Sequence, residues 1–172
     1  LIDAVQRLAP ARRARLVIIG DGPERERLEE QVRRSGLEGR VEVRGRVSDR
    51  ELRQAYADSS VFVLPAIVDT RGDTEGLGVV LLEAMSYRVP VVASDLGGIT
   101  DIVTDGETGL LVPPADVAAL AAALERLAAD PGLAERLGAA GHRMLGERFS
   151  WPAILAQWQA CYAAARSSKK TN

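Results

Sequence analysis

The chain has 172 residues, with 22 Lys plus Arg against 24 Asp plus Glu, a formal net charge of −2, and 47% hydrophobic residues. That balance fits one soluble globular domain with a real core and argues against a dedicated nucleic-acid or anionic-membrane binder. One Cys and one His exclude an internal disulfide framework and argue against a Cys/His zinc site, and no apolar run reaches the roughly 18 residues of a membrane span. The first element is a helix, with Leu1, Val5 and Leu8 at helical spacing. Neither Met nor an N-cap residue precedes it, so the chain is expected to be a fragment that opens inside an element.

Leu16-Val17-Ile18-Ile19-Gly20 is a short β-branched run, predicted to be a strand buried on both faces. Asp21-Gly22-Pro23 turns the chain into a charged helix from Glu24 to Arg34, stopped by Gly36. Val41 to Gly45 is a second strand, and Ser48 with Glu51 forms a capping box that opens a helix to about Asp58. Val61 to Pro65 is a third buried strand, and an irregular polar loop, Ala66 to Glu75, follows it. Gly78 to Tyr87 is an apolar helix, Val89 to Ser94 a fourth strand and Leu110 to Val112 a fifth. From Asp116 the pattern is helical, with starts at Asp116, Pro131 and Ser150, and the last helix carries an apolar stripe of Trp151, Ile154, Leu155, Trp158 and Tyr162. Alternating strands and helices predict an α/β, doubly wound, parallel Rossmann-like sheet of about five strands with additional C-terminal helices. Residues 1–166 read as one domain and 167–172 as a frayed tail. Without a basic, apolar leader the default address is cytoplasmic.

The stretch richest in chemistry is Thr74-Glu75-Gly76-Leu77-Gly78-Val79-Val80-Leu81-Leu82-Glu83-Ala84-Met85, at the carboxyl end of the third strand. Ligands of open parallel sheets bind at such ends. Gly76 and Gly78 leave room for a ligand beside the backbone, and their N–H groups at a helix N-terminus favour phosphate. Under a helical rise throughout, Glu75 and Glu83 stand about 12 Å apart along the axis. A glycosidase pair needs roughly 5–9.5 Å. The spacing suits an elongated ligand with hydroxyl-rich ends and phosphates between, the shape of a nucleotide-activated sugar. The plainer alternative is a common Gly-rich turn followed by a solvated Glu. Against it, Glu83 lies between Leu81-Leu82 and Ala84-Met85, in a helix with almost no other charge.

Glu75 through Glu83 resembles the E-x7-E motif of the retaining GT-B glycosyltransferases of glycosyltransferase family 4. Val17 to Pro23, Val41 to Val47, Val61 to Pro65, Pro90 to Ser94, Gly97-Gly98-Ile99, Asp105 to Val112 and Phe149-Ser150-Trp151 resemble the same family in the same order. The match covers nearly the whole chain, in the family's C-terminal, donor-binding domain. The resemblance implies that Glu75 contacts the hydroxyls of the donor sugar, and that the Gly76, Leu77 and Gly78 backbone faces the sugar and diphosphate. It implies that Glu83 takes the ribose hydroxyls, that Arg46-Val47 borders the base, and that Gly20 to Gly22 lines the cleft. A nucleotide-diphosphate sugar is the implied donor, with no metal and no other cofactor. The family's diphosphate-binding Arg and Lys, its first strand and its acceptor-binding N-terminal domain fall upstream of Leu1. Any peripheral membrane association is left to that domain, and the isolated fragment is expected not to turn over alone.

Two positions depart from the pattern. Tyr87-Arg88 stands before Val89-Pro90 where the family has a small residue and Gly, so Arg88 is expected to end its helix by another route. Ala66 replaces the Ser that often follows the strand's Pro. Other motifs are weaker. Gly20-x-Gly22-x-x-Arg25 lacks the third Gly of a dinucleotide fingerprint, and Glu42 is in mid-strand rather than at a strand end. Asp69, Asp73 and Glu75 are irregularly spaced for a metal and read as a solvated loop, His142 as surface, and Cys161 as packing. Two alternatives stay open: a non-catalytic nucleotide-binding or assembly module of the same fold, and a related GT-B epimerase or phosphorylase.

Overall fold

Each apolar run becomes a strand: β1 (Leu16–Ile19), β2 (Val41–Gly45), β3 (Phe62–Leu64), β4 (Val91–Ser94) and β5 (Leu110–Val112). Every pairing between them is parallel, as alternation with helices requires. The computed structural model describes residues 1–8 and 14–168. Among these, the ladders divide into a two-stranded sheet, β1–β2, and a three-stranded sheet, β3–β4–β5.

Burial follows this division. β4 has a partner on each side and is buried along its whole length. β1 has one partner and leaves Val17 37% exposed, and β3 is half-buried throughout. The expectation of full burial for β1 and β3 is therefore corrected, because a short β-branched run looks the same whether one edge or both are paired. The two sheets share one core nevertheless. Ile2 and Val5 of α1 (Ile2–Arg7) pack with Val41, Val92, Leu110 and Leu137 across both.

The helix signals work as read. Ahead of α3 (Asp49–Asp58) the Glu51 N–H donates to Ser48 Oγ at 3.3 Å, and the Ser48 N–H donates back to Glu51 Oε2 at 2.8 Å. Asp116 caps α6 (Val117–Ala129) through the Ala119 N–H, and Asp130 caps α7 (Pro131–Arg148) through the Leu133 N–H, with Pro131 in the first turn. Between them, α2 (Arg25–Arg34) follows β1, and α4 (Val79–Ser86) follows β3. A further short helix, α5 (Ile99–Ile102), follows β4. A helix of one turn shows no periodicity, so the sequence offered no signal for it.

The end of α4 resolves the departure at Arg88. Arg88 itself takes the left-handed conformation, φ 59°, in the place of the glycine. Its N–H reaches the Met85 carbonyl at 3.0 Å, and the Val89 N–H reaches Ala84 at 3.2 Å. The expectation of another route is corrected: the geometry of a glycine stop is kept and an arginine bears its steric cost. Helix α7 presses on this turn. Gly138 lies so close to the Arg88 carbonyl that a Cβ there would collide with it.

Two single residues also differ from expectation. His142 is half-buried, with Nδ1 3.1 Å from the Met85 carbonyl oxygen. Cys161 is exposed on α8 (Trp151–Ser168) rather than packed. On the same helix Trp151, Leu155, Trp158 and Tyr162 are exposed. The helix continues to Ser168, and positions 169–172 of the expected frayed tail lie outside the described residues. Among the described residues no helix is long and apolar enough to cross a membrane.

Candidate functional site

All the sequence-predicted site residues except Glu83 sit in the turns that leave the carboxyl ends of β1, β2 and β3, or, for Gly78, cap the helix that follows. They form two groups. The first holds Gly20, Gly22, Arg46 and Val47. The Gly20 N–H donates to the Gly45 carbonyl at 2.9 Å, which ties the ends of β1 and β2 together. The ladder slips by one residue just before that bond, so Ile19 faces Gly45. Bulges of this kind re-aim the chain beside functional sites. Asp21 follows, its carboxylate 3.9 Å from the Arg46 guanidinium and 3.8 Å from that of Arg25. The Arg25 side chain lies against Gly45, in the space a Cβ would take. Arg46 is 88% exposed and Val47 half-buried.

The second group is built from Glu75, Gly76, Leu77 and Gly78. Gly78 caps α4 at φ 77°, where a Cβ would meet Leu81 Cδ1 at 3.0 Å and Leu64 Cδ2 at 3.1 Å. Only glycine satisfies both the left-handed backbone and the packing. The Gly78 N–H donates to Glu75 Oε1 at 3.0 Å. One donor that the sequence reading left for phosphate is thus held by the protein's own carboxylate. Among the described residues the N–H groups of Val79 and Val80 have no acceptor, so the first turn keeps two free donors beside Glu75. α4 begins only at Val79, so the helical rise assumed between Glu75 and Glu83 holds for the second half of that stretch alone.

Glycines after β4 complete this group. A Cβ on Gly98 would collide with the Gly76 carbonyl and come within 3.1 Å of Leu77 Cα, and one on Gly97 would come within 3.1 Å of the Glu75 carbonyl. The β4–α5 turn is thus pressed against the Glu75–Leu77 backbone. The adjacent pair of glycines after a strand was the signal available for it. An open cleft of about 430 Å³ adjoins, lined by residues 64–67 at the end of β3 and by Asp73, Thr74 and Glu75. Its loop is ordered by Asp69, which accepts the N–H groups of Arg71 at 2.8 Å and Asp73 at 2.9 Å. Those bonds hold the Asp69 carboxyl below the usual carboxylate range, the Asp73 N–H first and the Arg71 N–H next.

Glu83 stands apart from both groups, on the exposed side of α4, and its carboxylate has a partner. Tyr56 of α3 donates its hydroxyl to Glu83 Oε2 at 2.8 Å. Sequence reasoning missed Tyr56, because only the fold brings α3 beside α4. Among the described residues no hydrogen bond or ion pair joins the β1–β2 group to the β3–β4 group.

Residues 1–144 match the family model for glycosyl transferases group 1. Among curated proteins, the chain is 39% identical over 126 residues to alpha-D-kanosaminyltransferase of Streptomyces kanamyceticus, covering 73% of this chain and 31% of that protein. Among solved structures, sucrose-phosphate synthase of Thermosynechococcus elongatus is 32% identical with a TM-score of 0.75, over 97% of this chain and 42% of that one. HepE of Anabaena, solved in complex with UDP, is 27% identical with a TM-score of 0.80, over 95% of this chain and 44% of that one. The chain thus spans less than half the length of each of these proteins. It belongs to the glycosyl transferases group 1 family, with the fold of the C-terminal domain of a GT-B glycosyltransferase.

Proposed function

We propose that this chain is the donor-binding part of a retaining glycosyltransferase that takes its sugar from a nucleotide-diphosphate sugar. The observation that carries the reading is the Glu75–Gly78 turn. A carboxylate is locked beside a helix N-terminus at a strand's carboxyl end, with two free N–H donors next to it. Such a place offers a hydroxyl acceptor and a phosphate site side by side. HepE, a structural neighbour, has been solved with UDP and with UDP-glucose, which supports a donor of this class.

In this reading the sugar hydroxyls meet Glu75, the diphosphate meets the Val79 and Val80 N–H groups, and the ribose reaches Glu83. The base lies towards Arg46-Val47 and Gly20 to Gly22. Glu75 positions the sugar and faces the positive charge that grows at its anomeric carbon, rather than attacking it. The leaving phosphate helps to take the acceptor's proton. The acceptor is held by a part of the protein outside this chain, and no metal is required.

Titration with UDP, GDP and ADP, with and without attached sugars, tests the reading. One base is expected to bind, unchanged by a chelator, and Glu83→Ala is expected to weaken it by about 1.5–3 kcal/mol. Failure of all three nucleotides with a folded protein overturns it. The competing assembly-module reading would be favoured if the full-length parent bound donor without hydrolysing or transferring it.

A further inference from the structure

We propose that Tyr56 is a positioning residue that holds Glu83 as a preformed acceptor for a vicinal diol, and so sets this chain's preference for ribonucleotides over deoxyribonucleotides. This rests on the reading that Glu83 meets the ribose. Glu83 is exposed, and a free glutamate there would sample many rotamers. The Tyr56 hydroxyl removes that freedom by donating to Oε2 at 2.8 Å. Tyr56 is itself immobilised, being 7% exposed, with its ring stacked on Tyr87 at 5.6 Å and tilted against Phe62 at 5.7 Å. Burial, and then the bond to Glu83, push the Tyr56 phenol well above its ordinary pKa. It therefore remains a donor at any physiological pH. Its single proton goes to Oε2, leaving Oε1 open to two neighbouring hydroxyls. The rotamer entropy of Glu83 is lost on folding, before any ligand arrives.

The test compares dissociation constants of UDP, GDP and ADP with those of their 2′-deoxy counterparts, for the wild type, Tyr56→Phe and Tyr87→Leu. The wild type is expected to prefer the ribonucleotide by about tenfold or more, as a hydrogen bond to a charged group allows. Tyr56→Phe keeps the ring and is expected to cut that preference by at least about threefold, with the deoxynucleotide affinity nearly unchanged. Tyr87→Leu loosens the ring without touching the hydroxyl and is expected to fall between. If the wild type binds but shows no preference, or binds no pair, the ribose reading of Glu83 fails and the proposal with it. If the wild type discriminates and Tyr56→Phe discriminates equally, the ribose reading survives and the positioning role is overturned. Equal weakening of both nucleotides by Tyr56→Phe also overturns it, because loss of packing alone does that. Should Tyr56→Phe fail to fold, an unchanged preference in Tyr87→Leu is the overturning result.

Discussion

The two strand-end groups are built by different physics. At the ends of β1 and β2, shape depends partly on solvated charge: Arg25 and Arg46 each come within 4 Å of the Asp21 carboxylate, and all three remain substantially exposed. At the ends of β3 and β4, shape depends on close packing around left-handed Gly78 and Gly97, where a Cβ would be crowded, and around Gly98, where it would collide with the Gly76 carbonyl. Exposed ion pairs hold geometry weakly, whereas close-packed backbone transmits any added volume. The region proposed for the sugar and phosphates is thus the more closely packed, and the region proposed for the base the more dependent on solvated charge.

Substitutions can break or sharpen that contrast. The largest effect is expected from Gly98→Ala. Its backbone accepts alanine, but the new methyl collides with the Gly76 carbonyl, and a loss of about 1–3 kcal/mol in denaturant unfolding should follow, together with donor binding. Gly22→Ala is its control in the charged region, where nothing lies within 4 Å of the added atom. Next comes Ser48→Ala in the turn between β2 and α3, expected to cost about 1 kcal/mol through loss of the cap. Glu51 adds a pH signature there. The Ser48 hydroxyl, and then its N–H, hold the Glu51 carboxyl below its ordinary value. Its support is thus full above the unfolded value of 4.5 and fades as the pH falls through the lower folded value, so Glu51→Gln should flatten the acid limb of thermal stability.

Smaller still, and of opposite sign, is Arg88→Gly. Relief of the left-handed arginine outweighs the extra freedom of an unfolded glycine, and a gain of about 0.5 kcal/mol should appear in the unfolding midpoint. Arg46→Ala should change stability by less than about 0.5 kcal/mol, consistent with its exposure. A large loss there, or none at Gly98, would erase the contrast between the two regions.

What could be read from the residues follows from range. The capping box at Ser48 and Glu51, the Asp116 and Asp130 caps and the succession of strands along the chain depend on neighbours within a few positions, and all were legible. The glycine turn from Glu75 to Gly78 ahead of a helix was legible, but the occupation of the Gly78 N–H by Glu75 was not, since it depends on a side-chain rotamer. Tyr56 was invisible because 27 residues separate it from Glu83. The same limit hid His142 against Met85, 57 residues away. The full burial expected of β1 failed for a related reason: pairing on its second edge is not a local property. Arg88 shows the converse, a local rule overridden. The turn packs against α7 at Gly138, and Arg88 adopts the glycine conformation there.

The exposed α8 helix has a spectroscopic consequence. The chain has two tryptophans, Trp151 and Trp158, and both stand on that helix, 77% and 61% exposed. Intrinsic tryptophan emission from the folded protein therefore starts red-shifted and reports the surroundings of α8 rather than the core. Unfolding of the sheets would barely register in it, and circular dichroism or a buried probe has to follow the core instead. Conversely, whatever comes to cover that helix, once present in the cuvette, announces itself as a blue shift without any label.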